Sequence, residues 1–143
     1  MKNKILRVYL SHNMFGLDNG DVLRNRKEAQ EKLEKEGFHC LWLYDMNDFK
    51  RNLLPEEIVG RCFGILSAAN IFIMLDADIP GWGKMVEMYQ AYLNETPIFC
   101  IWQKEGRIND WIYHYSTEIF SNMENCIKYL VNEYGYLKEN YGN

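Results

Sequence analysis

Three carboxylates and a glycine-rich turn lie together in the run Leu75-Asp76-Ala77-Asp78-Ile79-Pro80-Gly81-Trp82-Gly83-Lys84-Met85-Val86-Glu87. Asp76 and Asp78 follow an apolar run that reads as a buried strand, and Gly81 and Gly83 let the backbone approach a ligand closely. Glu87 falls in the first turns of the next predicted helix, where the partial positive charge of the helix start favours an ionised carboxylate. An ionised carboxylate that attacks an anomeric carbon, beside a second acid that handles the leaving group's proton, is the pair that retaining glycosyl transfer requires. The same spacing also describes an ordinary strand-end turn followed by an exposed helix residue. On spacing alone the ordinary turn is the plainer reading.

Such a site needs elements to hold it. Ile5 to Leu10 alternates apolar residues and predicts a first strand, which runs into a polar loop from Ser11 to Gly20. Asp21 suits the cap of an amphipathic helix carrying Val22, Leu23, Ala29 and Leu33 and stopped by Gly37. Phe38 to Tyr44 predicts a second strand, Asp45 to Asn52 a loop, and Pro55 with Glu56 and Glu57 the start of a second helix. Asn70 to Asp76 is the clearest strand, a continuous apolar run suited to the centre of a parallel sheet. A helix from about Gly83 to Asn94 and a strand from Pro97 to Trp102 follow. Trp111 to Phe120 predicts a last strand or irregular segment, and Met123 to Tyr134 a final helix. This alternation predicts one α/β domain over residues 1–143: an open, doubly wound parallel sheet of four to five strands with flanking helices, flavodoxin-like or Rossmann-like. Ligands in such sheets bind beyond the carboxyl ends of the strands, which singles out the loops starting at Ser11, Asp45, Asp76 and Gln103.

Composition narrows the partners. A net charge of −4 provides no global basic field for a nucleic-acid polymer, and a small anionic ligand fits better. No apolar stretch approaches the roughly 20 residues that cross a bilayer, and the short apolar start reads as a strand instead of a signal peptide, so a cytoplasmic protein is expected. The four cysteines (40, 62, 100 and 126) are widely spaced and the three histidines (12, 39 and 114) scattered, which suits buried thiols and predicts neither a metal site nor a cofactor.

The run from Gly83 through Glu87, Ala91 and Tyr92 to Pro97 and Ile98 resembles the nucleoside 2-deoxyribosyltransferase family, which includes nucleoside 5′-monophosphate N-glycosidases. In that family a G-x-x-x-E-x-x-x-A-Y-x-x-x-x-P-[VI] pattern carries the nucleophile, and the resemblance places that role on Glu87. Val8-Tyr9-Leu10-Ser11-His12-Asn13-Met14-Phe15 is similar to the family's first strand and loop, whose tyrosine orients the nucleophile, so Tyr9 takes that role by resemblance. Gly106-Arg107-Ile108-Asn109-Asp110-Trp111 resembles a segment whose asparagine completes a neighbouring subunit's site, which implies a homo-oligomer. The family's helix aspartate before the central strand is replaced here by Arg61-Cys62-Phe63, and another acid before the glutamate by Pro80-Gly81, for which Asp78 is the nearest substitute.

The implied ligand is a small nucleoside or nucleotide, met by Ser11, His12, Asn13 and Phe15 of the first loop, by Gly81, Trp82 and Gly83, and by Asn109 and Trp111. Phe15, Trp82 and Trp111 are of a type that stacks on bases, although large aromatics are also common in cores and interfaces. Arg24, Arg26 and Lys27 follow the first loop, where Ser11 with a cation such as Arg24 suits a 5′-phosphate; a solvated helix face is the plainer reading. Val8-Tyr9-Leu10-Ser11-His12, Gly37 to Trp42, and Trp82 before Glu87 also resemble a TIR domain, which implies NAD glycohydrolysis or signalling. An inert nucleotide-binding module is the third alternative.

Overall fold

The computed structural model describes residues 5–13, 19–41 and 54–141, with the side chains of residues 19–23 and 136–141 left aside. Five strands and five helices alternate: β1 (Arg7–Ser11), α1 (Asn19–Lys35), β2 (His39–Leu41), α2 (Pro55–Ala68), β3 (Ile71–Met74), α3 (Trp82–Leu93), β4 (Ile98–Ile101), α4 (Asp110–Tyr115), β5 (Glu118–Phe120) and α5 (Met123–Tyr141). All strands pair in parallel in the order β2-β1-β3-β4-β5. The predicted doubly wound sheet is therefore observed in its flavodoxin-like order, and the reversal of winding falls between β1 and β3.

The strands are buried on both faces because successive side chains serve different helix layers. Val8, Leu10, Ile71, Ile73 and Phe99 pack with Leu33 of α1 and Leu130 of α5. Tyr9, Phe72, Met74, Ile98 and Cys100 pack with Leu66 of α2, Met88 and Ala91 of α3, and Ile112 of α4. Tyr9 and Ser11, two apart on β1, thus both belong to the face covered by α2 and α3. Tyr9 is also paired in register with Phe72 and stacks on it with ring centroids 5.7 Å apart.

Element ends differ from the sequence expectation in ways that local chemistry explains. α1 begins at Asn19, so Asp21 lies inside the helix and does not cap it. α2 starts at Pro55 as expected, with the Leu54 N–H donating to Glu57 Oε1 at 3.3 Å. The segment after Trp111 is not a single strand: Asn109 caps α4, accepting from the N–H groups of Trp111 (2.9 Å) and Ile112 (3.3 Å), and a three-residue β5 follows. The expected loop from Asp45 to Asn52, and the end of the expected second strand at Trp42 to Tyr44, lie outside the described residues. Among the described residues no helix is long and apolar enough to cross a membrane.

Candidate active site

The carboxyl ends of β1 and β3 flank the switch point, and the turn after β3 leads directly into α3. Lys84, Met88 and Ala91 form the buried stripe of α3, and Glu87, three residues after Lys84, shares their side of the helix. Its carboxylate is thereby carried in toward Tyr9 and Ser11. Glu87 Oε2 and Ser11 Oγ are both sealed from solvent and lack a hydrogen-bond partner of good geometry. The Ser11 hydroxyl is nonetheless close enough to Glu87 to favour its ionised form.

Burial pushes the Glu87 carboxyl up to about 7, against the opposing pull of the Tyr9 and Ser11 hydroxyls and the Lys84 charge. Tyr9 is held far above the ordinary phenol range by its burial and by the Glu87 charge, and remains a proton donor. A neutral phenol beside the carboxylate can donate a hydrogen bond to it without neutralising it. Asp76 is half-buried and its carboxyl is also raised, by burial, with Lys84 opposing and Asp78 reinforcing the shift. That direction suits a group that delivers a proton.

The two aspartates are therefore used differently. Asp78 Oδ2 accepts from the N–H groups of Gln103 (3.0 Å) and Lys104 (3.1 Å), and Lys104 Nζ donates to the Asp78 carbonyl at 3.1 Å. Its carboxylate ties the β3–α3 turn to the loop after β4. The Asp78 carboxylate is therefore engaged structurally.

Asn13 is buried, and its Nδ2 donates to the carbonyls of Ile79 (3.3 Å) and Pro80 (3.2 Å), joining the first loop to the turn. Gly81 is required at the junction: a Cβ there would sit 2.0 Å from Asn13 Oδ1. Gly83 is less constrained, its nearest contact being Glu87 Oε1 at 3.9 Å from an added Cβ. Trp82 is 92% exposed at the start of α3, and Trp111 is exposed on α4, where it stacks on Tyr115. Neither indole is a core residue. Phe15 lies outside the described residues.

At the end of β1, burial lowers His12 to about 4, and the charges of Arg26 and Lys84 push in the same direction. The imidazole is neutral at pH 7, with two cations in its surroundings. Arg26 is buried and donates to Gln30 Oε1 and to the Leu41 carbonyl (3.1 Å), so it does not belong to a solvated helix face. Arg24 and Lys27 are exposed. Asn109, expected to reach a neighbour's pocket, uses its Oδ1 to cap α4.

Two residues at the site carried no motif. Lys84 is one. Cys62 is the other: it lies on the buried side of α2, close enough to Tyr9 and Glu87 for its thiol to be raised by burial and by the Glu87 charge. The position that lacks the family's aspartate thus places a neutral thiol beside the phenol. The recurrence of buried Cys62 and Leu66 four residues apart was the available signal for its inward side. Among the described residues no group of three or more His, Cys, Asp or Glu side chains is arranged to hold a metal ion.

No protein-family profile matches the sequence, and no curated protein matches it significantly. Solved structures do match in three dimensions. A 2-deoxyribosyltransferase from Bacillus psychrosaccharolyticus superposes with a TM-score of 0.70 at 15% identity, covering 92% of this chain and 95% of that one. The chain shares its fold with a 2-deoxyribosyltransferase. A CMP N-glycosidase, BcmB, from Clostridium botulinum gives a TM-score of 0.63 at 14% identity, covering 89% of this chain and 98% of that one. A conserved protein from Enterococcus faecalis gives 0.75 at 12% identity, covering 91% and 99%. At these identities the likeness establishes the fold. It accords with the resemblance to the deoxyribosyltransferases and adds no support to the resemblance to TIR domains.

Proposed function

We propose that the protein cleaves or transfers the N-glycosidic bond of a nucleoside or nucleoside 5′-monophosphate through a glutamate nucleophile. The observation that carries this reading is the buried Glu87 carboxylate between Tyr9, Ser11 and Lys84 at the switch point of the sheet. The structural neighbours that act on such bonds support it. In the first step a Glu87 oxygen bonds to the anomeric carbon as the carbon–nitrogen bond breaks, and the electron pair leaves with the base, which Asp76 protonates. Water or a second base then attacks the anomeric carbon, gives its proton to the Asp76 carboxylate, and releases Glu87 as the carboxylate. Tyr9 keeps the attacking oxygen aimed throughout. Incubation with a panel of nucleosides, their monophosphates and NAD, followed by chromatography for free base, tests the reading. Release from a nucleoside or monophosphate is expected. Release from NAD alone would favour the glycohydrolase alternative, and none from any substrate would leave an inert binding module.

A 5′-phosphate on the substrate belongs to this proposal: the first strand ends at Ser11 and the helix that follows carries the exposed cation Arg24, a side chain that can pair with phosphate. A charge-assisted contact of this kind is worth about 1.5–3 kcal/mol. The Arg24→Ala variant should therefore lose roughly ten- to a hundredfold in kcat/KM for a monophosphate while cleaving the free nucleoside nearly as before. Equal losses on both substrates would show that Arg24 is not a phosphate contact.

Self-association belongs to the same reading. Trp111 and Tyr113 on α4, with Tyr89 and Leu93 on α3, expose large apolar side chains of the kind enriched in interfaces. Sedimentation should show a dimer or larger species at micromolar concentration, and a monomer there would remove the oligomer from the account.

A further inference from the structure

Lys84 is 3% exposed, an unusual place for an ammonium, which is almost never taken so far from water without partners. Its Nζ donates to the carbonyls of Asp76 and Ile79, the latter at 2.6 Å, and so spans the turn that links β3 to α3. Gly81 closes this turn over it: a Cβ at Gly81 would lie 3.0 Å from Lys84 Cε. The groups whose charge Lys84 feels come from three places: Asp76 and Asp78 in the turn, Cys100 on β4, and Glu87 one helical turn further along α3. Those facing Glu87 are Tyr9 and Ser11 from β1, Cys62 from α2, and Lys84 itself.

We propose that Lys84 is a positioning residue whose buried ammonium ties the Asp76–Gly81 turn to the first turn of α3 and keeps a positive charge beside the Glu87 carboxylate. The catalytic meaning of this role rests on the proposed function; the structural and electrostatic role does not. Each part is separable by substitution. Methionine keeps an unbranched side chain and removes both the charge and the donors. Glutamine keeps a donor without the charge. Lysine therefore combines two effects that neither replacement reproduces together.

The test is a carboxyl-carbon NMR titration of the full-length protein, with the Glu87 resonance identified by its loss in Glu87→Gln. The wild-type midpoint should lie at about 7, and in Lys84→Met it should rise, because a nearby cation no longer favours the anion. Amide exchange at Ile79 and Gly81 should accelerate at least about tenfold in the same variant, since the turn loses its clamp. An unchanged Glu87 midpoint in a folded Lys84→Met protein overturns the proposal. Should Lys84→Met fail to fold, Lys84→Gln decides by the same criterion. Neither readout depends on turnover, so a failure to release base from any substrate would overturn the proposed function and leave this result standing. If base is released, the ascending limb of the kcat/KM profile should move upward with the Glu87 midpoint.

Discussion

Glu87→Ala should lower base release by at least about a thousandfold while the protein stays folded, because removing a covalent nucleophile removes the step that the rest of the site supports. The size of the effect follows from the geometry: among the described residues, Glu87 is the carboxylate whose charge reaches Tyr9. Asp78 is engaged by the backbone of Gln103 and Lys104, and Asp76 lies in the turn under the influence of Lys84. A methyl group in place of the carboxylate also leaves Tyr9 without the anion that it orients. The check is chromatographic release of base alongside a far-ultraviolet spectrum and thermal transition. Retention of even a tenth of wild-type turnover would assign the nucleophile elsewhere.

The second large effect is on stability and has the opposite sign. Glu87→Gln should stabilise the fold at alkaline pH by about 1–3 kcal/mol and do little near pH 4, a range set by converting the displaced titration into free energy. In the unfolded chain the carboxyl loses its proton near its ordinary value of 4.5, whereas the folded protein retains it up to about 7. The favourable contribution of the protonated form is complete below pH 4.5 and is lost as the pH rises through 7. Above that point the wild type must hold a buried anion that glutamine does not have. Urea unfolding of both proteins at pH 4.5 and pH 8 measures the difference, and equal gains at the two pH values would show that burial does not set the ionisation of Glu87. An activity gain together with this stability cost at the same residue is expected where a charge is held out of water for chemistry.

Much of the frame was readable from residue patterns. The continuous apolar run of β3, the proline start of α2 and the amphipathic spacing of α1 each follow from one physical rule, and the structure has all three. The end of the domain was harder to read, because α4 spans only six residues and depends on the Asn109 cap, while β5 is a three-residue strand with little alternation to detect. At the site, Glu87, Tyr9 and Gly81 were reachable through the local pattern and the family resemblance. Lys84 and Cys62 were not, since a lysine and a cysteine inside helices ordinarily mean a solvated charge and a packed thiol. Lys84 did leave a trace: it shares the helical stripe of Met88 and Ala91, where a charge is out of place. The two uses of Asp76 and Asp78 could not be separated in sequence, because the difference comes from two backbone N–H groups contributed by residues 25 and 26 positions away.

The central claim, a covalent glycosyl intermediate on Glu87, is tested most directly by acid-quenching the protein during turnover without an acceptor base and mapping the peptides by mass spectrometry. The account predicts a mass increase equal to one glycosyl group, with the 5′-phosphate where the substrate carries it, on the peptide containing Glu87, and its absence from the Glu87→Ala protein. An adduct on any other side chain, or free base formed at the wild-type rate by Glu87→Ala, would contradict it.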